Sequence, residues 1–397
     1  MRSYGVSRRQ FLRWGVALTA GTPLALRYGN PDLVAAVTGT AANSLIRTAS
    51  NSNAKVAIVA CRSYGPEVRE ALAHSFDLLG GIGRLVKERT VSVKLNLTGT
   101  AFADYMGRPV GETFMTHYAT VRALVALLFD AGAKRVRLVE STQSKAELAS
   151  TLALADWDLK ALEAMGRVEF ENTRNLGRGK RYANLKVPFG GYMFSSFDLN
   201  RAYDETDVMI SLAKLKNHVT AGITLTMKNL FGVTPNSLYG DQAGNEDATG
   251  GRGPLHNPRG FEHLKLPGLK DGITVTDPTW RVPRVTVDVC AARPIDLAII
   301  DGITAMSGGE GPWCRHAAEL KFTTPGILIT GLNAVSTDAV GAAVMGYENP
   351  RAARGTKPFA ICDNHLLLAE QAGLGMADLS KIDVRGLKLE QARYPYG

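Results

Sequence analysis

Residues 207–233 read DVMISLAKLKNHVTAGITLTMKNLFGV, and the reading of this stretch decides the fold. VMISLAKL is a short apolar run of the kind that forms a buried strand, and TAGITLTMKNLFG has the length and composition of a helix. At the junction and on the following helix stand Lys214, Lys216, Asn217, His218, Lys228 and Asn229. A strand that empties into a helix through a cluster of cations predicts an α/β protein with a ligand site at its strand ends, where loops and helix N-termini converge.

Working outward, the same alternation of short apolar runs and helix-length segments extends along the chain. KVAIVAC (55–61), TVSVKLNL (90–97) and RVRLVES (135–141) read as strands, separated by the helical stretches PEVREALAHSFDLLGG and YATVRALVALLFDAGA. A parallel sheet with right-handed crossovers is the default for that order. KAELASTLALADWDLKALEAMG continues as helix, VEFEN as strand, and NLKVPFGGYMFSSFDLNRAYDETD as a small β excursion ending in a short helix. Residues 233–283 are rich in Gly, Asn, Asp and Pro and read as a long irregular loop region, of the sort that serves as a functional loop or lid. Beyond it, VPRVTVDVCAARP is helix or strand, IDLAIIDGI and GILITGLN are strands, AVSTDAVGAAVMG is a helix and KIDVRGLKL a last strand. The expected fold class is α/β, a mostly parallel sheet layered with helices, occupying residues 55–390 as one domain or two lobes.

The N-terminus carries an address. SRRQFLR, Ser7 to Arg13, matches the twin-arginine export pattern, and the apolar stretch WGVALTAGTPLAL behind it is too short to span a bilayer. Residues 1–42 are thus expected to be a twin-arginine signal segment, with small residues near 35–42 for cleavage, and residues 43–54 a linker. The expectations are export through the twin-arginine translocase to the periplasm or exterior, and no stable transmembrane anchor.

The 397 residues are 45% hydrophobic and 21% charged, with 46 Lys and Arg against 37 Asp and Glu, a net +9. The basic residues are dispersed, with no run alternating with aromatics, so no nucleic-acid partner is expected and a small anionic ligand is the better use of the charge. Cys61, Cys290, Cys314 and Cys362 are far apart and contain no C-x-x-C, which argues against an iron–sulfur cluster and for buried free thiols.

Polar residues mark four strand ends: Lys94 and Asn96, then Glu140, Ser141 and Thr142, then Lys214, Lys216 and His218, then Asp301. Strand alternation puts Lys214 and Lys216 on one face, where their ammonium groups would crowd without an anion between them. Desolvated lysines beside other cations suit carboxylate or phosphate and can have pKa values low enough for base chemistry. His218 stands at the expected start of the next helix, either as a capping or buried hydrogen-bonded histidine or as a metal ligand or proton-transfer group. Lys228 and Asn229 lie on that helix, where one exposed turn is the plain alternative to a ligand contact. DGITAMSGGEGP (301–312) is a strand end followed by a glycine-rich loop that lacks the P-loop Gly-Lys-Ser/Thr; Asp301 and Glu310 are candidates to hold a divalent cation or orient the lysines. Asn333 is expected to cap a helix containing Asp338. The other histidines, at 74, 117, 256, 263, 316 and 365, show no H-x-x-x-H or H-E-x-x-H spacing, and no G-x-S-x-G elbow occurs.

KLKNHVTAGITLTMKNLFG, DLAIIDGITAMSGGEGP and NAVSTDAVGAAVMG, in that order, resemble the motifs of a prokaryotic family known as domain of unknown function 362. The resemblance covers roughly residues 55–385, and its matching positions are Lys214, Lys216, His218, Lys228, Asn229, Asp301, Gly311 and Asp338. Many members carry ferredoxin-type cysteines; this chain lacks them, so the resemblance implies no redox role here. A looser likeness, by analogy only, is to lactate-racemase-like proteins, whose nickel cofactor is held by lysine and histidine.

The expected function is that of an exported enzyme acting on a small, carboxylate-type anion. His218, Lys216 and Asp301 are the expected catalytic groups, and Lys94, Asn96, Lys214, Lys228 and Asn229 the expected substrate ligands. The alternatives are an exported protein that binds a metal or small ligand without catalysis, and a structural protein whose polar strand ends are dispersed.

Overall fold

The computed structural model describes residues 54–99, 101–316 and 319–396. The expected signal segment and all but the last residue of the linker lie outside the described residues. Eight strands form one sheet: β1 (Lys55–Ala60), β2 (Thr90–Lys94), β3 (Arg135–Glu140), β4 (Val168–Asn172), β5 (Val208–Lys214), β6 (Leu297–Gly302), β7 (Ile327–Gly331) and β8 (Asp383–Gly386). Their order across the sheet is β8-β1-β7-β6-β5-β2-β3-β4. The pairings are parallel except at β7, which runs against both β1 and β6. The fold is therefore α/β with a mostly parallel sheet. GILITGLN is the one departure from the parallel default: as β7 it inserts between β1 and β6 in the opposite sense.

β5, drawn from the opening stretch, is central, and all seven of its residues are buried. Its alternation serves two helical layers. Val208, Ile210 and Leu212 pack with Leu72 and Phe76 of α1 (Glu67–Leu78) and with Leu124 and Leu128 of α2 (Tyr118–Asp130). Met209 faces the opposite layer, made by α3 (Leu225–Leu230), α4 (Pro278–Ala292), α5 (Ala334–Val344) and α6 (His365–Gln371). A strand covered on both faces is expected to be largely apolar, as VMISL is apart from Ser211, whose hydroxyl donates to the Thr226 carbonyl at 2.8 Å.

Three expectations are corrected by local chemistry. The helix expected over TAGITLTMKNLFG is shorter: Asn217–His218 and Gly222–Ile223 first form a two-residue antiparallel ribbon, and α3 begins only at Leu225. Gly222 sits at φ +76°, where a Cβ would lie 2.6 Å from the Pro358 carbonyl oxygen, so the chain turns tightly before it can become helical. His218 is consequently on that ribbon and not at a helix start. KAELASTLALADWDLKALEAMG breaks into two short helices, Leu148–Ala153 and Leu159–Glu163. The 233–283 region is not without order, since it contains helical turns at Asn236–Tyr239 and Gly253–His256 and the first residues of α4. Asn333 caps α5 as expected, accepting from the Ser336 N–H at 3.0 Å. The four cysteines are free and buried. Among the described residues no helix is long and apolar enough to cross a membrane.

The start of α3 is strained. Leu225 has φ +38°, a conformation that costs an L-residue about 1–2 kcal/mol. It is held there by Asp338 on α5, whose carboxylate accepts from the Thr226 N–H (2.9 Å), the Thr226 hydroxyl (2.5 Å) and the Met227 N–H (2.8 Å). Burial pushes the Asp338 carboxyl up to about 7, against those three hydrogen bonds. Removing the acceptor leaves buried donors unpaired, so Asp338→Ala should lower the unfolding free energy by about 3 kcal/mol, measured by urea denaturation. A loss below about 1 kcal/mol would mean that α3 is held in some other way.

Candidate functional site

The parallel strands all deliver their C-terminal ends to one edge of the sheet, and Lys94, Glu140, Lys214 and Asp301 lie at or next to the ends of β2, β3, β5 and β6. Alternation divides them between faces. Lys94 shares its parity with Ser92 and points toward α3; Lys214 and Asp301 share theirs with Leu212 and Ile299 and point toward α1 and α2. The structure thus separates lysines that the sequence suggested were one wall.

On the α1/α2 face the groups saturate one another. Lys214 Nζ donates to the Tyr64 hydroxyl (2.6 Å), the Thr304 carbonyl (2.6 Å) and the Gly111 carbonyl (3.0 Å), and stands 3.5 Å from Asp301 Oδ1. Asp301 also accepts from the Tyr64 hydroxyl (3.0 Å), the Ile303 N–H (3.1 Å) and the Thr120 hydroxyl (2.9 Å). Burial lowers the Lys214 pKa while Asp301 opposes the shift. His117 stacks on Tyr64 with ring centroids 3.5 Å apart and caps α2, and burial lowers its pKa to about 4.

On the α3 face the pairing is equally complete around Lys94. Its Nζ contacts Glu140 Oε1 at 2.5 Å, the Leu95 carbonyl at 2.7 Å and Asn229 Oδ1 at 3.5 Å. Glu140 accepts in addition from the Leu97 and Ser141 N–H groups. Asn229 is a clamp, with its amide N–H groups toward Ser211 Oγ and the Lys94 and Leu212 carbonyls. Asn96 ties β2 to β5, its Oδ1 accepting from the Lys214 N–H at 3.2 Å. Burial lowers the Lys94 pKa, with Glu140 acting in the other direction.

Beyond the strand tips the chemistry changes. Lys216, fully buried, donates to the Phe114 carbonyl (2.6 Å), the Glu310 carbonyl (3.0 Å) and the Thr98 hydroxyl (3.3 Å). No anion is needed to relieve Lys214 and Lys216, because carbonyls and Asp301 separate them. Lys228 is buried, contrary to the exposed helical turn that the sequence allowed, and 9% of its surface remains open. Its Nζ makes no hydrogen bond among the described residues and lies over the Phe231 ring, 4.1 Å from the centroid. Burial lowers the pKa values of Lys216 and Lys228 to about 7, with Glu310 opposing the shift in each. Both amines are thus poised between acid and base near neutrality.

Three histidines, scattered in sequence, act on the same space. His218 Nδ1 accepts from the Thr220 N–H at 3.2 Å, which puts the proton of the neutral ring on Nε2. Its pKa lies well below the usual range, through burial and then through Lys228, His256, Lys216 and His365. His256 Nδ1 donates to the Arg252 carbonyl at 2.8 Å, leaving the lone pair on Nε2, and burial lowers its pKa to about 4. His365 is fully buried, and burial and then Lys228 lower its pKa to about 3; among the described residues neither ring nitrogen makes a hydrogen bond. Arg252 anchors the turn below, donating to the Thr234 and Gly232 carbonyls. The carboxylate that lowers the charge of this group is Glu310, whose Oε2 lies 3.8 Å from His218 Nδ1 and accepts from the Val219 N–H at 3.0 Å.

His256, His365 and Arg252 were missed in the sequence because they arrive from the 233–283 region and from α6, with no local spacing to connect them. Among the described residues no group of three or more His, Cys, Asp or Glu could hold a metal ion. An open depression of about 310 Å³ lies elsewhere, at the β4 edge, lined by Lys145, Glu147, Glu171, Arg174, Arg178 and Glu246. Its charges are paired with one another, as in Arg178 with Glu147 and Glu171, so the unbalanced cluster is the better candidate.

Fold and cluster define an α/β protein with a buried lysine–histidine site at the C-terminal edge of its sheet. The domain of unknown function 362 model matches residues 91–343, and the chain belongs to that family. The chain is also similar to a thylakoid-associated protein of Synechocystis sp., 28% identical over 266 residues, which cover 66% of each protein's length.

The two kinds of lysine should respond oppositely to removal. Lys214→Met breaks a buried pair and should lower the unfolding free energy by about 3 kcal/mol or more. Lys228→Met removes a buried cation with no hydrogen bond, so stability should stay within about 1 kcal/mol of wild type or rise. Equal losses in denaturant titrations of the two variants would refute this division.

Proposed function

We propose that the protein is an exported enzyme acting on a small carboxylate-bearing substrate, bound in the cluster around Lys228. One observation carries the reading: of four buried lysines at the strand edge, Lys94, Lys214 and Lys216 are saturated by internal acceptors, and Lys228 is not. Lys216, Lys228, His218 and His256 share one nearby carboxylate, Glu310, an excess of cationic and donor groups that a substrate anion would balance. In this reading Lys228 binds the anion and exchanges a proton with the adjacent carbon or oxygen. His218 presents Nε2–H as a donor, and Lys216 supplies positive potential. Asp301 and Lys214 act from the opposite face by fixing the end of β5, and Lys94 and Asn229 do the same for α3. Export is supported by the twin-arginine pattern at Ser7–Arg13.

The pH dependence has a defined sign. A lysine with a folded pKa of about 7 is protonated below that pH, and an anion favours the protonated form. Above it, binding must take up a proton, so affinity falls as pH rises, by about tenfold per unit for one proton. Calorimetry with acetate, propionate, lactate and pyruvate from pH 6 to 9 should show this fall, and Lys228→Met should weaken binding about tenfold or more. Affinity independent of both pH and Lys228 would exclude the site. Incorporation of solvent deuterium into a bound carboxylate, followed by NMR, separates an enzyme from a protein that only binds.

A further inference from the structure

The cluster is closed by its own acid. Glu310 is 8% exposed, and its carboxylate occupies donors that suit a carboxylate ligand: the Val219 N–H on Oε2 at 3.0 Å and the Trp313 indole N–H on Oε1 at 3.2 Å. The backbone carbonyl of the same residue supplies one of the hydrogen bonds that saturate Lys216, at 3.0 Å. Trp313 packs edge-on against Phe114, centroids 5.9 Å apart, and the Phe114 carbonyl is another of those acceptors. At 38% exposure Trp313 is one of the few large apolar side chains open to solvent. Glycines flank Glu310 on both sides: Gly308 turns at φ +89°, and a Cβ on Gly309 or Gly311 would meet Cys314 at 2.5 Å or Trp313 at 2.3 Å. The segment is therefore a tight plug, laid over the lysines by hydrogen bonds and ring contacts.

We propose that the Glu310 carboxylate stands in the position of the substrate carboxylate, and that a monocarboxylate enters by displacing it, swinging Gly308–Arg315 away from Lys216 and Lys228. This deepens the function proposed above and rests on it. Exchange of one carboxylate for another keeps an acceptor for the Val219 N–H in the field of the cations, while the Lys216 bond to the Glu310 carbonyl and the Trp313 packing are given up and must be offset by the ligand. The segment reports its own position, because Cys314 is part of it and is buried while the plug is seated, and burial pushes that thiol up to about 12, which slows its reaction with an alkylating agent.

The test uses the full chain, sodium propionate and sodium chloride at matched ionic strength, with iodoacetamide labelling mapped by mass spectrometry. Propionate should speed alkylation of Cys314 about fivefold or more in the wild type, while Cys290, buried under α3, stays unlabelled and reports that the protein remains folded. Glu310→Gln weakens the internal competitor, so its propionate affinity in calorimetry should rise about tenfold. Propionate binding that leaves Cys314 protected, or that is no tighter in Glu310→Gln, overturns the displacement and leaves the anion site standing. Absence of any carboxylate binding in both proteins overturns the anion site and the displacement together. If Glu310→Gln does not fold, the wild-type labelling decides alone.

Discussion

One buried carboxylate sets the geometry from which the site hangs. Asp338 holds the first turn of α3 in a backbone conformation that Leu225 would not adopt unaided, and so fixes where Lys228 and Asn229 emerge. The cost of the strain and of burying Asp338 is offset by three donors that would otherwise be orphaned at a helix start. Asn229 then locks α3 to β2 and β5 through Ser211 and Lys94, which leaves Lys228 directed at the histidines. The strain at Leu225 persists because a neighbouring element, α5, over-determines the turn through Asp338.

Desolvation sorts the lysines. An ammonium taken out of water must find acceptors or give up its proton. Lys94 and Lys214 find carboxylates, Lys216 finds carbonyls, and Lys228 finds an aromatic face. The first two therefore knit the sheet edge, and burial holds the last two well below the usual lysine range. A buried lysine near the sheet edge thus has two physical meanings, decided by what lies across from it.

Much of the fold was legible. The near-continuous apolarity of VMISL, broken only by Ser211, marked β5 as a buried strand, and the helix-length runs at 67–78 and 118–130 stood out by length and the glycines that end them. The sense of β7 was not legible, because antiparallel and parallel pairing make the same demand on ILITG once both faces are covered. Of the site, the lysines and His218 were visible because they cluster in the sequence. His256, His365 and Arg252 were invisible because their proximity is made by the path of the 233–283 region and by α6, which no spacing encodes. The division of Lys94 and Lys214 between faces was also invisible, because alternation within each strand leaves open the register between β2 and β5, which pairs Lys94 with Ser211.

The Tyr64 hydroxyl joins Lys214 and Asp301 across separations of 150 and 237 residues, and Thr120 reaches Asp301 across 181. The family match at 91–343 excludes Tyr64, β1 and β8. A fragment cut to the matched limits would strip β7 of one neighbour and turn it into a bare sheet edge, open to pairing with other chains. It would also leave the Lys214 ammonium and the Asp301 carboxylate without their shared hydroxyl. The sheet and the Lys214–Asp301 cluster thus depend on residues on both sides of the matched limits, from Lys55 to Gly386.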